Sequence, residues 1–467
     1  MIKHLLNNRL ALFVIIFHIL LGTLSASSNV IIIGWFFIVL ASETTDIVGN
    51  RIKINVKLNN LIVYLVSLEV LARMAKTSPF IPYEVSKYVL CALFLYGIFL
   101  NFNKGYIGIL LLALILPAAF YDQSETVNGE LLVFNLLGPV DLALGVIYFR
   151  GQVINKNQLF NLIKLALYPT ISVLSFAFVR TPDYDEIDFS LSANFDTTGG
   201  FGSNQVSTAL GLGLFLIFLL WVSGKNISKN KILDITIMMG FVLQGLLTFS
   251  RGGMIGGAVA ILTVLFLITF SGASLSGANK INLPKVGLYI IPVIVLGLLV
   301  FQFVDSITGN NLSLRYKGET AGTLAGSKEL DLNTFTTNRY EIFLGDIELW
   351  KENLMFGVGA GGSKALRPTT EEVPTAAHVE LSRLLAEHGL LGLLFFFIIL
   401  TFPIVIWQQN KDPLNRAILL ALYALGLYTS FHAAMRTYVT PLLISMSLLV
   451  IEEQKKLPKP PPQNSLS

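Results

Sequence analysis

The sequence predicts an all-α polytopic membrane protein with about 12–14 transmembrane helices and one large, partly helical loop. Three observations predict it. Hydrophobic residues make up 54% of the 467, charged residues only 13%, and the mean hydropathy is +0.68. A soluble chain usually carries about a quarter charged residues. The apolar residues fall into runs long enough to cross about 30 Å of hydrocarbon. The cations between those runs alternate in density, as they do where successive loops face opposite sides of a membrane.

Fourteen apolar segments are expected near 9–26, 28–42, 58–74, 85–101, 104–120, 131–149, 162–180, 204–223, 231–248, 253–271, 285–304, 388–407, 415–430 and 438–452. The first two are short and tightly joined and the third is amphipathic, so twelve crossings is the lower count. No small-residue cleavage site follows the first run, so the N-terminus is expected to stay in the membrane. Four parts follow: residues 1–304 hold eleven helices, 305–387 a large loop, 388–452 three more helices, and 453–467 a polar, Pro-rich tail expected to be disordered. The one cysteine, Cys91, excludes a disulfide framework. The net charge of +4 gives no ground for a nucleic-acid partner.

Taking the N-terminus as cytoplasmic puts nineteen Lys and Arg in the inner connections. Six lie in the outer ones: Arg73, Lys76, Lys87, Arg180, Arg251 and Arg436. The outer turns YDQSETVNGE and TPDYDEIDFSLSANFD are acidic. Residues 305–387 then lie outside. Within them Tyr340, Phe343, Leu344, Ile347 and Trp350 recur at helical spacing, and Asn338 with Glu341 has the spacing of a capping box. Gly357 and Gly359 are expected to end that helix. A second helix starts near Ala376 and bends at EHGLLG.

Candidate chemistry clusters at the outer boundary. Arg251 opens "RGGMIGG", where Gly252 stacks over Gly256 and Gly253 over Gly257, a small face suited to close helix packing. An arginine heading such a face points into the bundle, and an inward charge is a functional hypothesis, against the simpler role of an interfacial anchor. Arg180 ends the seventh segment, with Asp183, Asp185 or Glu186 as its structural alternative. Arg339 opens the loop helix, where a cation is disfavoured by the helix dipole, and that misfit suggests an anionic ligand. His378 starts the second loop helix and has the residue type of a general base. Ser250, Glu380, Arg383 and Arg436 are supporting candidates. Arg383 and Glu387 also have the spacing of a helix pair. His432, one turn before Arg436, and His388 at the bend read as structural. FGVGAGGSK lacks the ending of a phosphate-binding loop, no HExxH is present, and Asp183, Asp185 and Glu186 read more simply as an exposed acidic loop than as a metal cluster. Guanidiniums suit phosphate oxygens and never deprotonate. The residues therefore point to a lipid-linked phosphate or diphosphate, with a histidine to move a proton.

SRGGMIGG, NRYEIFLGDIELWKENLMFGVGAGG, HVELSRLLAEHGLLGLLFFF and GSNQVSTALGLG together resemble the O-antigen ligase and O-antigen polymerase superfamily, most specifically over about 200–400. The charge bias puts both termini in the cytoplasm, and the resemblance implies an all-helical bundle with a large periplasmic loop in the bacterial inner membrane. It implies a glycosyltransferase that needs neither metal nor cofactor. The donor would be an undecaprenyl-diphosphate-linked glycan. The acceptor would be lipid A core oligosaccharide for a ligase, or another lipid-linked repeat unit for a polymerase. It places the diphosphate on Arg251 and Arg339, more loosely on Arg180, and the base on His378. Val379 stands where the family often has asparagine. Chain-length regulators or other polysaccharide assembly proteins would be partners, besides membrane lipid. A lipid-linked oligosaccharide flippase or a solute transporter is the alternative of another class, although charge at one surface suits chemistry better than transport.

Overall fold

The computed structural model describes residues 1–49, 53–100, 105–121, 127–271, 283–368 and 377–452, and no side chain from 271 to 289. The expected disordered tail, 453–467, lies outside these residues.

The chain runs up and down through α1 (Ala11–Ser27), α2 (Asn29–Gly49), α3 (Ile54–Ser67) with its continuation α4 (Glu69–Met74), α5 (Val85–Leu100), α6 (Tyr106–Ile115) and α7 (Gly129–Phe149). After the strand β1 (Val153–Asn155) come α8 (Lys156–Arg180), α9 (Ser203–Val222), α10 (Lys231–Leu247), α11 (Arg251–Ser271) and α12 (Leu283–Ile307). The large loop holds α13 (Asn311–Lys317), α14 (Leu332–Thr336) and α15 (Arg339–Glu352). Then follow α16 (Glu380–Leu400), α17 (Phe402–Gln409), α18 (Pro413–His432), α19 (Val439–Met446) and β2 (Val450–Glu452). Among the described residues ten helices are long and apolar enough to cross a membrane. Val85–Leu100 and Tyr106–Ala119 are shorter apolar helices.

The last expected segment, 438–452, is helical for only eight residues. Its end pairs with β1 instead, in parallel, Val153 beside Val450. The two strands are hydrogen-bonded to each other, so both lie at the same end of the bundle. The opposite end carries the large loop.

Burial sorts the helices. In Ser203–Val222, 83% of the apolar window is buried within the protein, against 11% in Ile290–Ile307. The former is the centre of the bundle, and the latter presents its side chains to lipid.

The bend expected at EHGLLG is present. Gly389 adopts φ +61, ψ −140 within α16. A Cβ there would lie 2.6 Å from Leu354 O, so the turn after α15 packs against bare backbone. Gly357, at φ +67, meets the same bend from the other side. The glycines of FGVGAGGSK thus serve close packing.

Two expectations about α15 are corrected. The helix ends at Glu352, before the glycines. Asn338 sits at φ +62 and its side chain makes no cap bond. Asn333 does that work, accepting from Glu341 N at 3.1 Å and donating to Glu341 Oε2 at 3.1 Å. The apolar stripe is not the buried face: Tyr340 and Leu344 are exposed, and Phe343, Ile347 and Trp350 are half-buried. Ile342, Gly345, Asp346 and Leu349 form the buried face. The reason is Asp346, whose carboxylate binds Arg367 at 2.6 Å and accepts from Ser382 at 2.6 Å. That buried pair fixes which side of α15 meets α16.

Candidate functional site

Both glycine pairs of α11 pack as the spacing predicts, each against a different helix. A Cβ on Gly253 would sit 2.1 Å from Ser207 C, and one on Gly257 2.5 Å from Gly211 O, both on α9. On the neighbouring stripe, Gly252 lies under the ring of His432 and Gly256 under Tyr428, both on α18. Small residues therefore let α11 wedge between two helices, with Arg251 at its first turn. Ser250 fixes the entry. Its hydroxyl donates to Asn204 Oδ1 at 2.7 Å and accepts from Ser207 at 2.9 Å.

Arg251 turns towards the loop. Its guanidinium donates to Arg315 O at 2.8 Å, Phe335 O at 2.6 Å and Thr337 Oγ1 at 3.3 Å, with the Phe335 ring 5.3 Å away. It thereby ties α13 and α14 to the bundle. Arg315, which sequence reading did not single out, is drawn in: its side chain is buried, and its Nε lies 3.5 Å from Phe249 O. Burial first, then Arg251 and Arg339, pulls its pKa down to about 10. Arg339 is lowered too, by burial and by Arg251, with the Tyr428 hydroxyl acting in the opposite sense.

Arg315 and Arg339 line a cavity of about 450 Å³ together with His378, Lys328, Asn204 and Thr337, and among the described residues no carboxylate lines it. His378 is held at its rim from both sides. Its carbonyl accepts from Ala434 N at 3.0 Å, and the preceding Ala377 carbonyl accepts from Arg436 at 2.6 Å. Burial, then Arg436, Arg339 and His432, lowers the imidazole to about 3. It is neutral near pH 7, the form able to accept a proton. Burial and the nearby Arg383 likewise bring Arg436 to about 10. His432 bonds Thr208 Oγ1 at 3.0 Å through Nε2, while its buried Nδ1 has no partner.

The supporting candidates divide. Arg383 is buried against Glu380 and against Glu387 at 3.2 Å, the expected helix pair, and also donates to Asn135 O at 3.0 Å. Glu380 accepts in addition from Met435 N at 2.9 Å. Both are scaffold beneath His378. Arg180 is not brought to this cluster. It lines a separate cavity, and its guanidinium donates to Ala26 O.

One contrast separates the site from the scaffold. Arg73, Arg367 and Arg383 are each neutralised by a carboxylate, on Glu69, Asp346 and Glu380 respectively. Among the described residues no carboxylate pairs with Arg251, Arg315, Arg339 or Arg436. Like charges collected without counter-charge are costly unless an anion arrives to share them. Also among the described residues, no group of three His, Cys, Asp or Glu is arranged to hold a metal ion.

Residues 235–397 match the family model described as O-antigen ligase, a stretch that includes Arg251, Arg315, Arg339 and His378. No curated protein and no solved structure matches the chain.

Proposed function

We propose, from the match of residues 235–397 to the family model described as O-antigen ligase, that this chain is a membrane glycosyltransferase of the ligase type. It takes a glycan from an undecaprenyl-diphosphate donor to an acceptor hydroxyl at the periplasmic face of the inner membrane, with both termini cytoplasmic. The observation that carries this reading is the pair of guanidiniums, Arg315 and Arg339, that line one cavity with a neutral histidine and, among the described residues, with no carboxylate.

The roles follow from the geometry. Arg315 and Arg339 take the diphosphate oxygens, and Arg251 holds the loop that presents them while adding its charge from behind. Neutral His378 accepts the proton of the acceptor hydroxyl as that oxygen bonds to the anomeric carbon. The bond from that carbon to the diphosphate breaks, and its electron pair leaves on the lipid diphosphate. Charge on the leaving group therefore rises in the transition state, and the arginines stabilise it more than they stabilise the ground state. His378 then passes its proton to water or to the departing diphosphate.

Equilibrium binding of undecaprenyl diphosphate against undecaprenyl phosphate tests the diphosphate assignment. The protein should prefer the diphosphate, and Arg315→Gln with Arg339→Gln should weaken it by about tenfold or more, since contacts to charged groups are worth about 1.5–3 kcal/mol each. Equal binding of both lipids, unchanged in the double variant, refutes it.

A further inference from the structure

Outside the large loop, six cations lie in the outer connections against the charge rule, and the structure accounts for four. Arg73 is buried in its pair with Glu69, 4.0 Å over the Tyr83 ring. Lys87 is buried 4.6 Å from the Phe134 ring, with Phe134 O at 3.4 Å. Arg251 and Arg436 belong to the site above. The remaining two, Arg180 and Lys76, come from chain segments about a hundred residues apart and meet at one cavity of about 340 Å³.

That cavity has the features of an anion site. Among the described residues no carboxylate lines it. Asp183, Asp185 and Glu186, the expected partners of Arg180, form no ion pair with it among the described residues. Arg180 spends one donor on Ala26 O, in the last turn of α1, and a guanidinium has five. Ser25, 2% exposed, lines the cavity with a hydroxyl that has no hydrogen-bond partner among the described residues. The outer surfaces of the two helices that flank the cavity are apolar and exposed: Leu20 and Leu24 on α1, Phe178 and Val179 on α8. A headgroup in the cavity would leave its acyl chains lying along those residues.

We propose that the Arg180–Lys76 cavity binds the phosphate of a lipid headgroup, at a site separate from the Arg315–Arg339 cavity. A membrane phospholipid and a polyprenyl phosphate share the chemistry that the site recognises. The site is independent of the donor, and so is its test.

The full-length protein in detergent is titrated with phosphatidylglycerol, with diacylglycerol of the same chains and with undecaprenyl phosphate, and bound lipids are counted by native mass spectrometry. Phosphatidylglycerol should bind about tenfold or more tightly than diacylglycerol. Lys76→Gln with Arg180→Gln should remove that preference, while Lys76→Arg with Arg180→Lys keeps it and Arg315→Gln with Arg339→Gln leaves it intact. Stronger retention of undecaprenyl phosphate than of phosphatidylglycerol assigns the site to the polyprenyl lipid, and the reverse to a phospholipid. An unchanged preference in the double Gln variant overturns the proposal, as does equal binding of diacylglycerol. Displacement of the lipid by millimolar inorganic phosphate shows a free-phosphate site and overturns the lipid assignment.

Discussion

Gly253→Ala isolates the reason for glycine after Arg251. The added Cβ would lie 2.1 Å from Ser207 C and 2.2 Å from Ser207 O. These are backbone atoms in the middle of a packed pair, so no rotamer change relieves the contact. Restoring the 3.4 Å of an ordinary contact requires α11 and α9 to part by about 1.3 Å. Overpacking of this kind costs about 1–3 kcal/mol. The same shift stretches the Ser250–Asn204 and Ser207–Ser250 hydrogen bonds, at 2.7 and 2.9 Å, that set the first turn of α11. Stability and donor binding should therefore fall together. Gly256→Ala meets only the Tyr428 ring at 2.9 Å and Leu425 Cδ1 at 3.2 Å, side-chain atoms that can give way, and should cost less. Gly34→Ala meets nothing within 4 Å and serves as the control. The assay is thermal unfolding of the purified protein in detergent, alongside donor binding. A Gly253→Ala protein as stable as the Gly34→Ala control, binding donor normally, would refute the reasoning.

Arg251→Lys should fail nearly as badly as Arg251→Ala in glycan transfer at normal membrane levels, because one ammonium cannot span acceptors on Arg315, Phe335 and Thr337; near-normal transfer would make Arg251 an interfacial anchor. His378 titrates at about 3 in the fold against 6.5 in the free side chain, so between those values the unfolded chain binds more protons. Its contribution to stability is complete above about 6.5 and is lost as pH falls towards 3. Wild type should thus lose more melting temperature than His378→Gln between about pH 7 and 4, and identical slopes would contradict the buried neutral assignment. In a protein freed of Cys91, a cysteine at Ser327 should react with an impermeant reagent from the periplasmic side and one at Lys229 only after permeabilisation. Reversed labelling would put the cavity on the wrong face.

Much of this arrangement was legible before the structure. Apolar length marks the spans because lipid demands it, and the two glycine stripes of α11 follow from a fixed helical period. Arg251, Arg339 and His378 could be singled out because each broke a local expectation of its position or residue type. Arg315 could not. It sits on α13 in an ordinary polar stretch, and only the return of the loop onto Arg251 gives it meaning. The orientation of α15 was not legible for a related reason. Hydrophobic spacing names a face but not its partner, and the Asp346–Arg367 pair, joined across 21 residues, decided the orientation. The β1–β2 pairing is of the same kind, three residues each and far apart in sequence. Arg180 had the right residue type at the right boundary, yet the packing of α8 carried it to another cavity.

The central claim is that this cavity breaks a glycan–diphosphate bond by proton transfer to His378. Its most direct test is release of undecaprenyl diphosphate from a synthetic undecaprenyl-diphosphate-linked glycan, using purified protein in vesicles with an acceptor present. Wild type should release the lipid diphosphate as acceptor is glycosylated. His378→Ala should bind the donor normally and release it about 10²–10⁴-fold more slowly. Glycan crossing the vesicle membrane with its diphosphate bond intact, at a rate that His378→Ala leaves unchanged, would contradict the account.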